Sequence, residues 1–250
     1  MEIWQLLLLG LAGAVAGWVN VLAGGGSLLT VPIMLFLGVP GPVANGTNRV
    51  GILLQNIAAC STFFHRGYPE WRLGLSLAIA TLPGALVGAL MGTQLSGIWF
   101  ERILAGTMIV VLILMMRPPK SRSQQPNSPA LSRPRLILGH VAMLGVGFWG
   151  GIIQVGVGFI LMPVLQRIMG FDLVRVNQHK VFIVLIYGTL ALWIFFSSGQ
   201  VLWIVGLSLA VGNFLGGWLG AHMTLTRGET LIRRVFITVL VLFIGKLLFW

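Results

Sequence analysis

Acidic residues are nearly absent from this chain. Only Glu2, Glu70, Glu101, Asp172 and Glu229 occur, against 16 Lys and Arg, and none lies in the middle of an apolar stretch. A proton or cation pump usually needs a carboxylate inside the membrane, so cation transport is disfavoured. Cysteine is scarcer still. The single Cys60 excludes an intramolecular disulfide and a cysteine-based metal centre; within an apolar run it reads as a small buried hydrophobe. The four histidines show no HxxH or HExxH spacing, so no metal set is assigned. Charged residues of both signs make up 8%, where a soluble domain carries about 25%. No nucleophile–base–acid order is present, and Gly24-Gly25-Gly26-Ser27 lacks the lysine of a phosphate-binding loop. The sequence predicts neither an enzyme nor a cofactor.

What the 250 residues do contain is apolar: 57% are hydrophobic. Apolar runs near 20 residues recur, and about 20 helical residues cover a ~30 Å hydrocarbon core. The runs are continuous rather than alternating, which disfavours a β-barrel. The expectation is an all-α, polytopic integral membrane protein. The net charge of +11 does not point to nucleic acid, because most Lys and Arg sit in short connections and no nucleic-acid motif occurs. The opening Met1-Glu2-Ile3-Trp4 lacks the basic region of a signal peptide, so the first apolar run is expected to stay as a membrane segment.

The chain also repeats itself. Shifted by 132 residues, Phe63-Phe64, Gly67, Trp71 and 74–78 meet Phe195-Phe196, Gly199, Trp203 and 206–210. Gly84, Gly88-Ala89, Met91 and Arg102 then meet Gly216, Gly220-Ala221, Met223 and Arg234, giving 14 identities in the 40 positions 63–102. Repeats of this size in an apolar chain point to a secondary transporter with its site at the repeat interface. Five apolar segments are expected per half, at 3–22, 28–38, 47–64, 73–95 and 98–116, then 136–154, 158–170, 180–197, 201–224 and 231–249. The halves are thus 1–116 and 136–250. Between them, 117–135 carries five prolines and five basic residues and reads as a flexible cytoplasmic linker.

Charge sets the relation of the halves. With an odd number of reversals per half, 13 basic residues face the cytoplasm and Arg49, Arg102 and Lys246 face outside. An even number splits them evenly. The positive-inside rule favours the odd count, hence inverted halves with both termini outside. Two shallow crossings and one re-entrant hairpin both satisfy that count for each short segment. Tryptophans 4, 71, 99, 203 and 250 read as interfacial anchors, and the Gly84/Gly88 and Gly216/Gly220 pairs as packing faces.

The chemistry is expected just upstream of the strongest repeat. Gly24-Gly25-Gly26-Ser27 frees the backbone from the helix, and the helix starting near Ser27 offers N–H groups and a positive dipole end to an anion. The second half answers with Gly156-Val157-Gly158. A tight glycine packing turn is the structural alternative. After each short segment comes a polar cluster, where Thr47, Asn48 and Arg49 align with Gln178, His179 and Lys180. Asn45 and Thr47 also suit a helix N-cap, and the cations could snorkel to the interface. Otherwise Arg49 and Lys180 hold an anion, with the amides and His179 as donors. His179 is the candidate for proton coupling, with His140 and His222 as alternatives. The candidate substrate-binding set is therefore Gly24, Gly25, Gly26, Ser27, Thr47, Asn48, Arg49, Gly156, Gly158, Gln178, His179 and Lys180.

These residues carry a family resemblance. Gly-Gly-Gly-Ser-Leu-Leu-Thr-Val-Pro at 24–32, Leu37-Gly38-Val39-Pro40 and Ala44-Asn45-Gly46-Thr47-Asn48 resemble the first-half signature of the sulfite exporter TauE/SafE (TSUP) family. The resemblance covers essentially the whole chain, with a degraded second copy. It implies a duplicated protein of the bacterial inner membrane, multi-pass, moving sulfite, sulfonates or related organic anions. The expected function is a secondary transporter for a small sulfur-containing or carboxylate anion, working by alternating access. An anion channel is the first alternative, and a membrane enzyme or assembly factor the second.

Overall fold

Helix direction decides how the two halves are related. The computed structural model describes residues 2–67, 70–116 and 132–225. The first half forms α1 (Ile3–Ala23), α2 (Ser27–Phe36), α3 (Gly41–His65), α4 (Trp71–Gln94) and α5 (Gly97–Met116). The second forms α6 (Arg133–Ile152), α7 (Val157–Pro163) running into a π-helical turn at Val164–Ile168, α8 (Leu173–Ser197) and α9 (Trp203–Thr224). No strand occurs among the described residues. Helices α1, α4, α6, α8 and α9 are long and apolar enough to cross a membrane. The chain is an all-α, multi-pass membrane protein. The expected segment at 231–249, with Lys246 and Trp250, and linker residues 117–131 lie outside the described residues.

Contacts give each helix its direction. Helices α1 and α9 are parallel: Gly10 faces Ser208, Gly17 faces Asn213, and Trp18 faces Gly220. Helices α4 and α6 form the matching parallel pair, with Gly84 on Leu144, Gly88 on Phe148 and Gly92 on Ile152. Helix α3 runs with α9, since Gly46 meets Gln200 and Gln55 meets Gly217. Helix α8 runs with α4: Glu70 at one end bonds Arg175, and Gly92 at the other meets Phe195. Helices α3 and α8 are antiparallel, because Arg49 lies over Phe195 while Phe64 meets Phe182. So α1, α3 and α9 point one way, and α4, α6 and α8 the other. Each helix opposes its counterpart in the other half, and the repeat is inverted.

The same directions resolve the short segments. Because α1 and α3 are parallel, α2 must run back between them. Its 10 residues rise only ~15 Å, half of a ~30 Å core. Asn20, near the end of α1, bonds Gln55, well short of the α3 end at His65, so the turn lies within the bundle. Helix α2 is a re-entrant arm, and α7 repeats the arrangement. Both arms contain a proline, Pro32 and Pro163.

Lipid tails are as apolar as leucine, so helices in a membrane associate through close packing more than through hydrophobic burial. The glycines supply it. A β-carbon on Gly88 would sit 2.9 Å from the Ile152 nitrogen, and one on Gly216 2.7 Å from the Trp18 nitrogen. Outward faces carry exposed Ile79, Leu86, Leu90, Ile204 and Leu215, while Trp4, Trp71, Trp99 and Trp203 stand exposed at helix starts.

Two boundaries differ from the hydropathy pattern. Helix α3 starts at Gly41 behind Pro40, and α8 starts at Leu173, where the Asp172 carboxylate accepts from Val174 N–H and Arg175 N–H. The polar clusters at 45–50 and 177–181 therefore lie inside helices, a turn or two from their starts. Asn45 and Thr47 are not caps. Proline and aspartate start these helices, and the buried polar groups behind them are satisfied sideways by neighbouring helices. Because α4, α6 and α8 begin where α3 ends, Arg66, Arg72, Arg133, Arg135 and Arg175 share one end of the bundle, the grouping the charge count requires.

Candidate functional site at the meeting of the hairpin tips

Each hairpin breaks at a glycine in the left-handed region, Gly24 at φ +83° and Gly156 at φ +73°. The tips meet backbone to backbone. A β-carbon on Gly24 would lie 2.7 Å from Cα of Gly158, and one on Gly158 closer still to Gly24. Only glycine permits this approach.

A cavity lies beside the contact. Gly24, Ser27, Gly158 and Lys180 line it, joined by Asn20, Gln55, Asn56 and Gln154. Val157 and Val184 complete the wall, and the cavity is narrow, about 10 Å³, room for about one water. No acidic residue lines it.

The two cations beside it follow the inversion. Lys180 on α8 donates to the carbonyls of Asn20 (3.1 Å) and Val21 (2.7 Å) at the end of α1, and to Asn177 Oδ1 (2.8 Å). Arg49 on α3 donates to the carbonyls of Gly150 (3.0 Å) and Gly151 (2.5 Å) at the end of α6. It also reaches Gln154 Oε1 at 3.3 Å and lies over the Phe195 ring. A helix C-terminus carries roughly −0.5 of a charge, so a full positive charge at each reverses the local sign. The surroundings of the cavity are net positive by roughly one unit on that count.

The other expected residues have other partners. Gly25 and Gly26 form the turn, and Gly26 N–H donates to Asn20 Oδ1 at 3.2 Å. The Thr47 hydroxyl accepts from Leu202 N–H at 3.0 Å. Asn48 Oδ1 accepts from the Thr30 hydroxyl at 2.6 Å. Gly156 faces Thr107 and Val111. Gln178 is buried away from the lining. Four of the twelve expected residues, Gly24, Ser27, Gly158 and Lys180, thus share the cavity wall.

His179 belongs to a second cluster. Its buried ring stacks on Phe171 at 4.8 Å, and Nε2 lies 3.2 Å from a Glu70 oxygen. Arg175 holds the same carboxylate through Nη2 (2.5 Å) and Nε (3.1 Å). Burial pushes the Glu70 carboxyl up, but the hydrogen bonds and charges of Arg175 and His179 outweigh it, leaving the pKa below the ordinary 4.5. This tie joins the first half to the second at the end of the bundle that carries the clustered arginines. His140 bonds the Leu136 carbonyl and Ser76, and His222 bonds the Trp218 carbonyl, both away from the cavity.

Four polar lining residues were not expected: Asn20, Gln55, Asn56 and Gln154. For three of them the signal was present, since an amide inside an apolar helix needs a partner or a function. Gln154 carries a different mark. Its φ of 57° makes it the non-glycine residue in the left-handed region among those described. That conformation costs roughly 1–2 kcal/mol, which its Arg49 contact and close packing at the tip must hold in place.

An inverted pair of membrane halves, each broken by a re-entrant hairpin, with the tips meeting at a cavity, defines the structural class. The chain belongs to the sulfite exporter TauE/SafE family, whose model matches residues 9–247. It is similar to the "Probable membrane transporter protein ORF9" of Sinorhizobium sp, 28% identical over 94% of this chain and 88% of that protein. A probable membrane transporter protein of Haemophilus influenzae is 27% identical over 98% and 94%. The probable membrane transporter protein YfcA of Escherichia coli K12 is 27% identical over 94% and 86%. No solved structure matches the chain.

Proposed function

We propose that this protein is a secondary transporter of a small anion, of the sulfite, sulfonate or carboxylate kind. The observation that carries this reading is the cavity at the hairpin tips, walled by four amide side chains and Lys180, with no acid. Paired broken helices meeting between inverted halves are the geometry in which transporters bind substrate. Two cations offset the negative ends of α1 and α6, which would otherwise repel an anion. The protein acts in the bacterial inner membrane, with the arginine-rich end of the bundle in the cytoplasm.

Alternating access is the motion this reading assigns, and the asymmetry of the two ends supports it. The arginine-rich end is tied across the halves by the charged Glu70–Arg175–His179 cluster. The opposite end closes through neutral contacts, Leu202 N–H on Thr47 and Gln200 Nε2 on the Thr93 carbonyl. Rocking one half against the other around the glycine contact opens one end while the other stays shut. His179, paired with Glu70, is the proton-coupling residue in this scheme, and Arg49 supports the site from behind Gln154.

Uptake of radiolabelled sulfite, methanesulfonate and acetate into proteoliposomes tests the reading. Saturable uptake of at least one anion, driven uphill by a proton gradient, is expected. Non-saturating flux that only follows the gradient would make the protein an anion channel. Absence of flux for every anion would end the transport reading.

A further inference from the structure

We infer that Gln55 and Gln154 are the specificity-determining side chains of the cavity, each fixed with its amide oxygen turned to the protein so that its NH2 faces the ligand. The inference rests on the anion reading above and gives it a mechanism.

An amide has one accepting end and one donating end, and its orientation is settled by neighbours that can do only one of these. Arg49 only donates. Its Nη1 lies 3.3 Å from Oε1 of Gln154, so the oxygen end must face it. The backbone N–H of Gly26 also only donates. It takes Asn20 Oδ1 at 3.2 Å, which turns Asn20 Nδ2 onto Gln55 Oε1 at 3.1 Å. Both glutamine oxygens are therefore used. Among the described residues neither the Gln55 NH2 nor the Gln154 NH2 has a hydrogen-bond partner.

The cation does not replace them. Lys180 directs its three protons to Asn20 O, Val21 O and Asn177 Oδ1. It supplies charge to the cavity, while hydrogen-bond selection falls to the glutamines. Asn56, also on the wall, has the opposite sense: its Nδ2 donates to the Ile52 carbonyl at 2.9 Å, which leaves its oxygen as an acceptor. Two amide donors against one amide acceptor, with the Ser27 hydroxyl able to act either way, favour an oxyanion with several bare oxygens. A cation, or a ligand rich in donors, finds too few acceptors.

Exchanging donor for acceptor at constant shape tests this. Gln154→Glu keeps an oxygen for Arg49, now as an ion pair, and puts a carboxylate oxygen where the NH2 stood. Gln55→Glu does the same opposite Asn20. Each variant is expected to raise the KM for sulfite or methanesulfonate about 10-fold or more, because a charge-assisted hydrogen bond is lost and a like charge added. The thermal stability of Gln154→Glu in detergent should not fall, since its Arg49 contact is kept. Unchanged KM in both folded variants would overturn the inference while leaving anion transport intact. Wild-type protein that carries no anion would instead overturn the functional reading itself. If one variant fails to fold, the KM of the other decides.

Discussion

Arg49 and Lys180 hold equivalent places in the two halves, and each closes the first helix of the half it does not belong to. Arg49 sits on the last carbonyls of α6, Lys180 on those of α1. This reciprocal capping fixes the hairpin tips against each other. It also explains why a cation stands in the middle of each polar cluster: four orphan carbonyls at each helix end need donors, and water is not freely available there.

Removing either cation should therefore destabilise the fold before it affects selectivity. Arg49→Met and Lys180→Met each lose hydrogen bonds from a charged donor, worth roughly 1.5–3 kcal/mol apiece in such settings. A fall in melting temperature of detergent-solubilised protein is expected for both. Arg49→Lys should recover only part of it, because one ammonium cannot span Gly150, Gly151 and Gln154 as the planar fork does. Wild-type melting in the methionine variants would show that the caps carry no stability.

The glycine contact makes a second prediction, with strain and sterics separable. Gly24 has φ +83°, so Gly24→Ala suffers both backbone strain and collision with Gly158. Gly158 is not in that region, so Gly158→Ala reports the collision alone. Both should sharply reduce uptake and lower stability, Gly158→Ala through the closer collision and Gly24→Ala through a milder one plus backbone strain of about 1–2 kcal/mol. Gly188→Ala is the control, since a β-carbon there meets nothing within 4 Å. Proteoliposome uptake normalised to folded protein checks the set; uptake at the wild-type level in Gly158→Ala would mean that the tips need not touch.

Much of this was legible in the sequence, for physical reasons that also set its limits. The 132-residue repeat and the positive-inside count gave inverted halves, because charge is sorted by the membrane and needs no contact information. Gly24 and Gly158 were visible because glycine in an apolar run marks close approach. The direction of Arg49 was not. Sequence places a guanidinium on a helix but not on a face, and Arg49 turned to carbonyls 101 and 102 residues away. His179 and Lys180 are adjacent in sequence, and helical geometry sends them to different neighbours: the first to Glu70, the second to the cavity. Gln154 could not have been found by type at all, since its mark is a backbone angle.

Topology offers a third prediction. The cytoplasmic end is assigned from clustered arginines, so the linker at 117–135 and residue 2 should lie on opposite sides. Cys60 is buried and should not interfere with single-cysteine labelling. Glu2→Cys should react with an impermeant maleimide from outside intact cells, and Ser123→Cys only after the membrane is opened. The reverse pattern would turn the whole bundle over and place the Glu70 cluster outside.

The last prediction concerns acid. The Glu70 carboxyl has its pKa lowered below 4.5, with burial opposing and Arg175 and His179 prevailing. A group whose pKa is lower in the folded state stabilises the fold above its unfolded value, and that contribution fades as pH falls through the folded one. Wild-type protein should therefore lose part of its margin over Glu70→Gln as pH drops below about 4.5. The side chains are about a third exposed, so the margin at neutral pH should be modest, about 1 kcal/mol or less. Melting temperatures of wild type and Glu70→Gln across an acid series measure it. The wild-type and Glu70→Gln curves should converge toward acid. Because the tie links the halves at one end only, its loss should also raise the open population there, read as faster labelling of a cysteine placed at Gln55. Parallel melting curves together with unchanged labelling would leave the Glu70 cluster without any part in closing that end.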